Sequence, residues 1–113
     1  ALACSGFVFF YNLIYMETFQ QIINGEKPVL VDFYATWCGP CKTMSPIVES
    51  VGKEMSGQVR VLKIDVDKNQ AVAAQFQIQA VPTFIIFKKG QIVWKKSGGI
   101  DKFSLLQQLK SFL

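Results

Sequence analysis

Cys38 and Cys41 are separated by Gly39 and Pro40 in the stretch Trp37 to Cys41, and two thiols at this spacing can bind a metal, staple a fold or trade electrons. The chain of 113 residues contains three cysteines and no histidine. Cys–His nucleophile pairs and two-histidine metal motifs are therefore excluded. Zinc would need two further ligands beyond this pair, and Cys4 is the only remaining cysteine. A bridge closing so short a loop restrains the unfolded chain by only about 2 kcal/mol. A buried structural pair stays open on that ground alone, but Trp37, Gly39 and Pro40 favour an exposed turn where a strand hands over to a helix.

A reactive pair explains the spacing. If a helix begins near Cys38, positions i and i+3 share a face with Cβ atoms about 5–6 Å apart, and a small shift permits a disulfide. Cys38 then lies in the first turn, where unpaired N–H groups and the helix dipole stabilise a thiolate. Pro40 is tolerated there because its missing N–H would have had no partner inside the helix. Cys41, one turn deeper, is predicted to be less exposed and less acidic.

The elements that must position this pair are readable from periodicity. Pro28 to Ala35 is a continuous apolar run, the pattern of a strand buried on both faces, interrupted only by Asp32. Val59 to Val66 is a second such run, and between them Lys42 to Met55 places Met44, Ile47, Val48, Val51 and Met55 on one helical face. A β-α-β unit follows, and with it a parallel strand pair. Residues 67–76 read as a short helix, and residues 83–96 as a hairpin turning at Lys89 and Gly90. Asp101 is placed to cap a closing helix with Leu105, Leu106, Leu109, Phe112 and Leu113 as its apolar stripe. The expected fold is α/β, a mixed sheet of four to five strands with helices on both faces.

Half the residues are hydrophobic and 18% are charged, which excludes disorder and suits one domain. The net charge of +4 is carried by scattered or paired lysines such as Lys88 and Lys89, so no nucleic-acid surface is predicted. Residues 1–15 are read as an N-terminal extension or an edge strand over Phe9 to Ile14, and residues 16–113 as the domain. The apolar part of that first segment is too short to span a bilayer. Ala-x-Ala followed by Cys4 also resembles the end of an export signal, although the charged region expected before it is not seen. Cys4 receives no catalytic role.

The stretch Asp32 to Lys42, with Lys63 to Asn69, Ala80 to Gly90 and Ser97 to Gly99, resembles the thioredoxin family from Phe19 to the end of the chain. The resemblance implies a protein-disulfide reductase with Cys38 as attacking thiolate and Cys41 as resolving cysteine. Trp37, Gly39 and Pro40 match the exposed rim, Pro82 the cis-proline facing the disulfide, and Val81 and Gly98 the rest of a groove for an extended peptide. Pro46 matches the proline inside the active-site helix. Asp32 matches a buried carboxylate of raised pKa that takes the proton of Cys41. Lys63 matches a lysine near it, while the residue type alone equally fits a snorkelling side chain. Tyr34, where many members have Trp, and the Gly98–Gly99 pair depart from the pattern.

On this resemblance no cofactor is needed beyond the dithiol. The implied partners are disulfide-containing client proteins and a reductase that recharges the pair, and the protein is expected to be a cytoplasmic monomer. An exported oxidase or isomerase and a non-catalytic binding module with the same fold are the competing readings. The Gly39–Pro40 dipeptide, which resembles the reducing members, favours the reductase.

Overall fold

The computed structural model describes residues 8–10 as backbone and residues 18–113 in full. Five strands form one sheet, in the order β1 (Val8–Phe10), β3 (Arg60–Asp65), β2 (Val29–Tyr34), β4 (Thr83–Lys88) and β5 (Gln91–Ser97). The first three are mutually parallel, β4 runs antiparallel to β2, and β5 runs antiparallel to β4. Strand β1 falls in the segment read as extension or edge strand and pairs Val8 to Phe10 with Val61 to Lys63. Tyr11 to Ile14, and Cys4 with its neighbours, lie outside the described residues.

The helices are α1 (Phe19–Ile23), α2 (Gly39–Glu54), α3 (Gln70–Gln75) and α4 (Lys102–Lys110). Because side chains alternate along a strand, the sheet supports two cores. Leu30, Phe84 and Ile86 pack with Met44, Val48 and Val51 of α2 and Leu105 and Leu109 of α4. Val31, Phe33, Ile64, Ile85 and Phe87 pack on the other face with Phe19 and Ile22 of α1. Burying each such side chain contributes about 1.5–3 kcal/mol. The alternation also dictates that Asp32, two residues from Leu30, and Lys63, two from Val61, point toward α2.

Local chemistry fixes the ends of these elements. Thr18 and Gln21 form a reciprocal capping box at the start of α1, with the Gln21 N–H donated to Thr18 Oγ1 at 3.1 Å. Asp101 caps α4 as expected, accepting the Ser104 N–H at 3.0 Å. Leu113, counted in the apolar stripe of α4, lies beyond the helix and is exposed. The β4–β5 hairpin turns with positive φ at Lys89 and Gly90, the pattern of a two-residue hairpin turn. The Gly90 N–H is donated to the Ile23 carbonyl at 2.9 Å, which ties the turn to the end of α1.

Phe76, just past α3, meets Phe87 edge-on with ring centres 5.2 Å apart and also packs against Phe19. This aromatic cluster anchors the loop that leaves α3 for Val81 and Pro82. The β2–α2 junction meets that loop where Val81 packs against Ala35, Cys38 and Cys41.

Candidate active site

Cys38 and Cys41 are disulfide-bonded, with Cα atoms 5.3 Å apart. Cys38 is the N-cap of α2, with extended backbone angles, and its Sγ accepts the Cys41 N–H at 3.1 Å. A sulfur thus does what a serine or aspartate oxygen usually does at this position. If the sulfur carries negative charge, the same bond becomes charge-assisted and the helix dipole adds to it. Pro40 falls within the first two helical positions, where no N–H is required. Pro46 lies inside α2.

The expected difference in exposure between the two cysteines is not found. Cys38 is 4% exposed and Cys41 5%. Packing against Ala35, Tyr34, Val66 and Val81 buries both, and Val81 comes from a loop that sequence spacing alone does not bring here. Cys38 Sγ lies 3.7 Å from the Val81 carbonyl oxygen.

The Val81–Pro82 peptide bond is cis. Two hydrogen bonds fix its surroundings: the Thr83 hydroxyl donates to the Ala80 carbonyl at 2.6 Å, and the Gly98 N–H donates to the Pro82 carbonyl at 2.8 Å. Gly98 has φ of +91°, a conformation natural to glycine. Its N–H is engaged with the Pro82 carbonyl, and a side chain at this position would meet nothing within 4 Å.

That groove is a cavity of about 160 Å³ lined by Trp37, Val66, Ile78, Gln79, Ala80 and Val81. Trp37 is 70% exposed, yet its orientation is set by its indole N–H, donated to Asp67 Oδ2 at 2.9 Å. Asp67 is in turn held by its own N–H bonded to Asp65 Oδ1. Gly39 and Pro40 are exposed beside it, and a side chain at Gly39 would meet nothing within 4 Å. The rim is consequently flat, open and mostly apolar.

Asp32 is 1% exposed, and its Oδ1 accepts no hydrogen bond. Burial raises its pKa from 3.8 to about 7, with the nearby Lys63 charge opposing the rise. Lys63 is itself buried, its Nζ donating to Ser45 Oγ at 3.1 Å and lying 4.9 Å from the centre of the Tyr34 ring. This is a held ammonium and not a side chain stretched into water. Burial also raises the Tyr34 hydroxyl pKa, reinforced by Asp65 and then Asp32.

Two residues at this site were not singled out from sequence. Asp67 stands thirty positions from its Trp37 partner. Ser45 had a signal, since it follows Cys41 by four positions and so shares its face of α2. Among the described residues no group of three or more acidic or cysteine side chains could hold a metal.

The thioredoxin family model matches residues 11–111. The chain belongs to the thioredoxin family. A thioredoxin-like protein of Synechocystis sp. is 51% identical over 94 residues, covering 83% of this chain and 90% of the relative. The chloroplastic thioredoxin Y of Oryza sativa subsp. japonica is 45% identical over 98 residues, covering 86% of this chain and 58% of that protein. The crystal structure of the short form of thioredoxin f from spinach chloroplast superposes with a TM-score of 0.85 at 34% identity, covering 99% of this chain and 98% of that one. Its thioredoxin-family relatives thus include chloroplastic and cyanobacterial proteins. As a thioredoxin-family member the protein is a protein-disulfide oxidoreductase whose redox group is its own Cys38–Cys41 pair. The family implies disulfide-containing targets and a reductase as electron donor. Among the described residues no helix is long and apolar enough to cross a membrane.

Proposed function

We propose that this protein reduces disulfides in partner proteins, with Cys38 as nucleophile, Cys41 as resolving thiol and Asp32 as the group that takes the Cys41 proton. The observation that carries the assignment is the capping bond from the Cys41 N–H to Cys38 Sγ. It singles out Cys38 as the sulfur whose negative charge the helix end stabilises.

In the reduced protein the Cys38 thiolate attacks one sulfur of the partner disulfide, forming a mixed disulfide and releasing the other partner sulfur as a thiolate. The partner strand lies in the groove between Trp37 and the Val81 loop, with Gly39, Pro40 and Pro82 shaping the approach. Cys41 then transfers its proton to Asp32 and attacks Cys38 Sγ. The second partner sulfur leaves, the Cys38–Cys41 disulfide closes, and the two electrons of the dithiol now reside in the partner. The raised pKa of Asp32 suits a proton acceptor working near neutrality. Lys63 favours the ionised Asp32 carboxylate that must be present before it can accept this proton. Gly98 contributes by holding Pro82.

A reductase returns two electrons to the pair. We place the protein in the cytoplasm as a monomer, with residues 16–113 as the working domain and the first fifteen as an extension that includes β1. A reducing compartment keeps the dithiol charged, and an open, shallow rim needs no second copy to complete it.

The deciding experiment is the reduction potential of the Cys38–Cys41 pair, measured by equilibration against a defined thiol buffer. A value clearly more negative than the glutathione couple is expected. A value well above it would overturn the reductase assignment in favour of a thiol oxidase or isomerase.

A further inference from the structure

A second cavity, of about 280 Å³, opens on the other side of the disulfide and is lined by Tyr34, Thr36, Cys41, Lys42, Ser45 and Lys63, among others. It brings the resolving cysteine and the buried lysine to one water-accessible space, and nothing in the disulfide exchange described above uses it. Ser45 stands between them on α2, with its hydroxyl oxygen 3.1 Å from the Lys63 ammonium.

We propose that Ser45 is a positioning residue for the resolving step, its hydroxyl holding the Lys63 ammonium inside the protein. The inference rests on the reading of Asp32 as the acceptor of the Cys41 proton. An ammonium has three N–H donors and no acceptor, so burial requires partners for them. The Ser45 oxygen supplies one and the Tyr34 ring face a second attraction. The lysine stem is flexible and its head is strongly hydrated. With the Ser45 oxygen removed, the adjoining cavity gives the head a route to water, and Asp32 loses the positive charge that favours its ionised form.

The charged and titratable groups around this arrangement come from three elements. Strand β2 contributes Asp32 and Tyr34, β3 contributes Lys63 and, acting on Tyr34, Asp65, and α2 contributes Cys41 and Lys42. Strand β4 places the neutral Phe84 opposite Asp32. Lys63 is the cation that acts on Asp32, so moving it has a defined electrostatic sign.

The test is a carbon-detected NMR titration of the Asp32 carboxyl in the reduced full chain, comparing the parent with Ser45→Ala and Ser45→Thr, each also in a Lys63→Gln background. Ser45→Ala is expected to move the Asp32 midpoint upward by about one unit. Ser45→Thr, which keeps a hydroxyl, should retain the parent midpoint, and with Lys63 replaced the Ser45→Ala change should produce no further shift. An unchanged or lowered midpoint, or an equal shift without Lys63, would overturn the role of Ser45 while leaving the reductase reading intact. The pH profile for resolution of a Cys38 mixed disulfide separates the two. A kinetic midpoint that follows the NMR midpoint supports the inference. One that stays fixed while the NMR midpoint moves overturns both the proton-accepting role of Asp32 and the part assigned to Ser45 in catalysis.

Discussion

Asp32 and Lys63 are direct register partners on the adjacent parallel strands β2 and β3, so carboxyl and ammonium emerge on the same sheet face, beneath the helix that carries Cys41. Neither is where strand composition alone would put a charge. Together they make the central strands of this sheet electrostatically costly and chemically useful in the same place.

That cost has a pH signature. Below pH 3.8 Asp32 is protonated in both the folded and the unfolded chain. As pH rises toward about 7 the unfolded chain ionises readily while the folded one retains its proton, so folding stability contributed by this group is progressively lost. The full loss is roughly 4 kcal/mol. Asp32→Asn should therefore be more stable than the parent above neutrality by up to about that amount, with the difference shrinking toward acid pH. Urea unfolding of both proteins at several pH values measures it, and a gap that stays constant with pH would contradict the buried, proton-holding carboxyl. The same variant should resolve mixed disulfides about 10²-fold more slowly, the lower end of what a positioned proton acceptor supplies.

The two cysteines should separate cleanly on substitution. Cys41→Ser leaves the capped sulfur of Cys38 able to attack but removes the thiol that releases the partner, so a covalent complex should accumulate. Non-reducing electrophoresis with a disulfide-bonded target would show it, and dithiothreitol should dissolve it. Cys38→Ser should give neither complex nor turnover. Retention of biological function by Cys38→Ser would instead favour a binding module.

Removing the acceptor of the Trp37 indole should loosen docking without touching thiol chemistry. Asp67→Ala is expected to raise the KM for a protein target about threefold, the scale of one exposed hydrogen bond. The reduction potential and the reaction with a small disulfide should stay at parent values. A changed potential would mean that Asp67 acts on the sulfurs themselves.

Two glycines of positive φ should respond alike to alanine. At Gly98 an added Cβ meets nothing within 4 Å, so Gly98→Ala should cost only the backbone strain of about 1–2 kcal/mol. At Gly90, with φ of +80°, the added atom meets Asn24 Oδ1, the tip of an exposed side chain that can swing aside, so the backbone cost dominates there too. Chemical denaturation should therefore find similar losses in the two variants. A markedly larger loss at Gly98 would show that its hydrogen bond to Pro82 has no tolerance for displacement.

Much of this arrangement was legible because it is local. The buried run around Asp32 contains β2, the apolar positions of α2 follow helical spacing, and the turn at Lys89 and Gly90 carries its own backbone preference. The motif also located the reacting pair. What was not legible depends on contacts between distant segments. Cys38 is buried by Val81, and Trp37 is oriented by Asp67; the sequence lets those pairs be suspected only after strand order brings their loops together. Lys63 shows the boundary well. Its strand position fixes the face it occupies, but that its ammonium stays inside and meets the Ser45 hydroxyl of the helix above involves partners that β3 itself does not contain.

The placement of Cys38 between Trp37 and the Val81 loop has a kinetic consequence. A target must bring its disulfide to this sulfur, and an electron donor must attack the closed pair from the same open rim. The two visitors cannot be seated together. Turnover should therefore alternate in the ping-pong manner, each partner acting as a competitive inhibitor of the other when in excess. The protein carries electrons by shuttling between them, and the traffic through it is set by which partner finds the rim vacant.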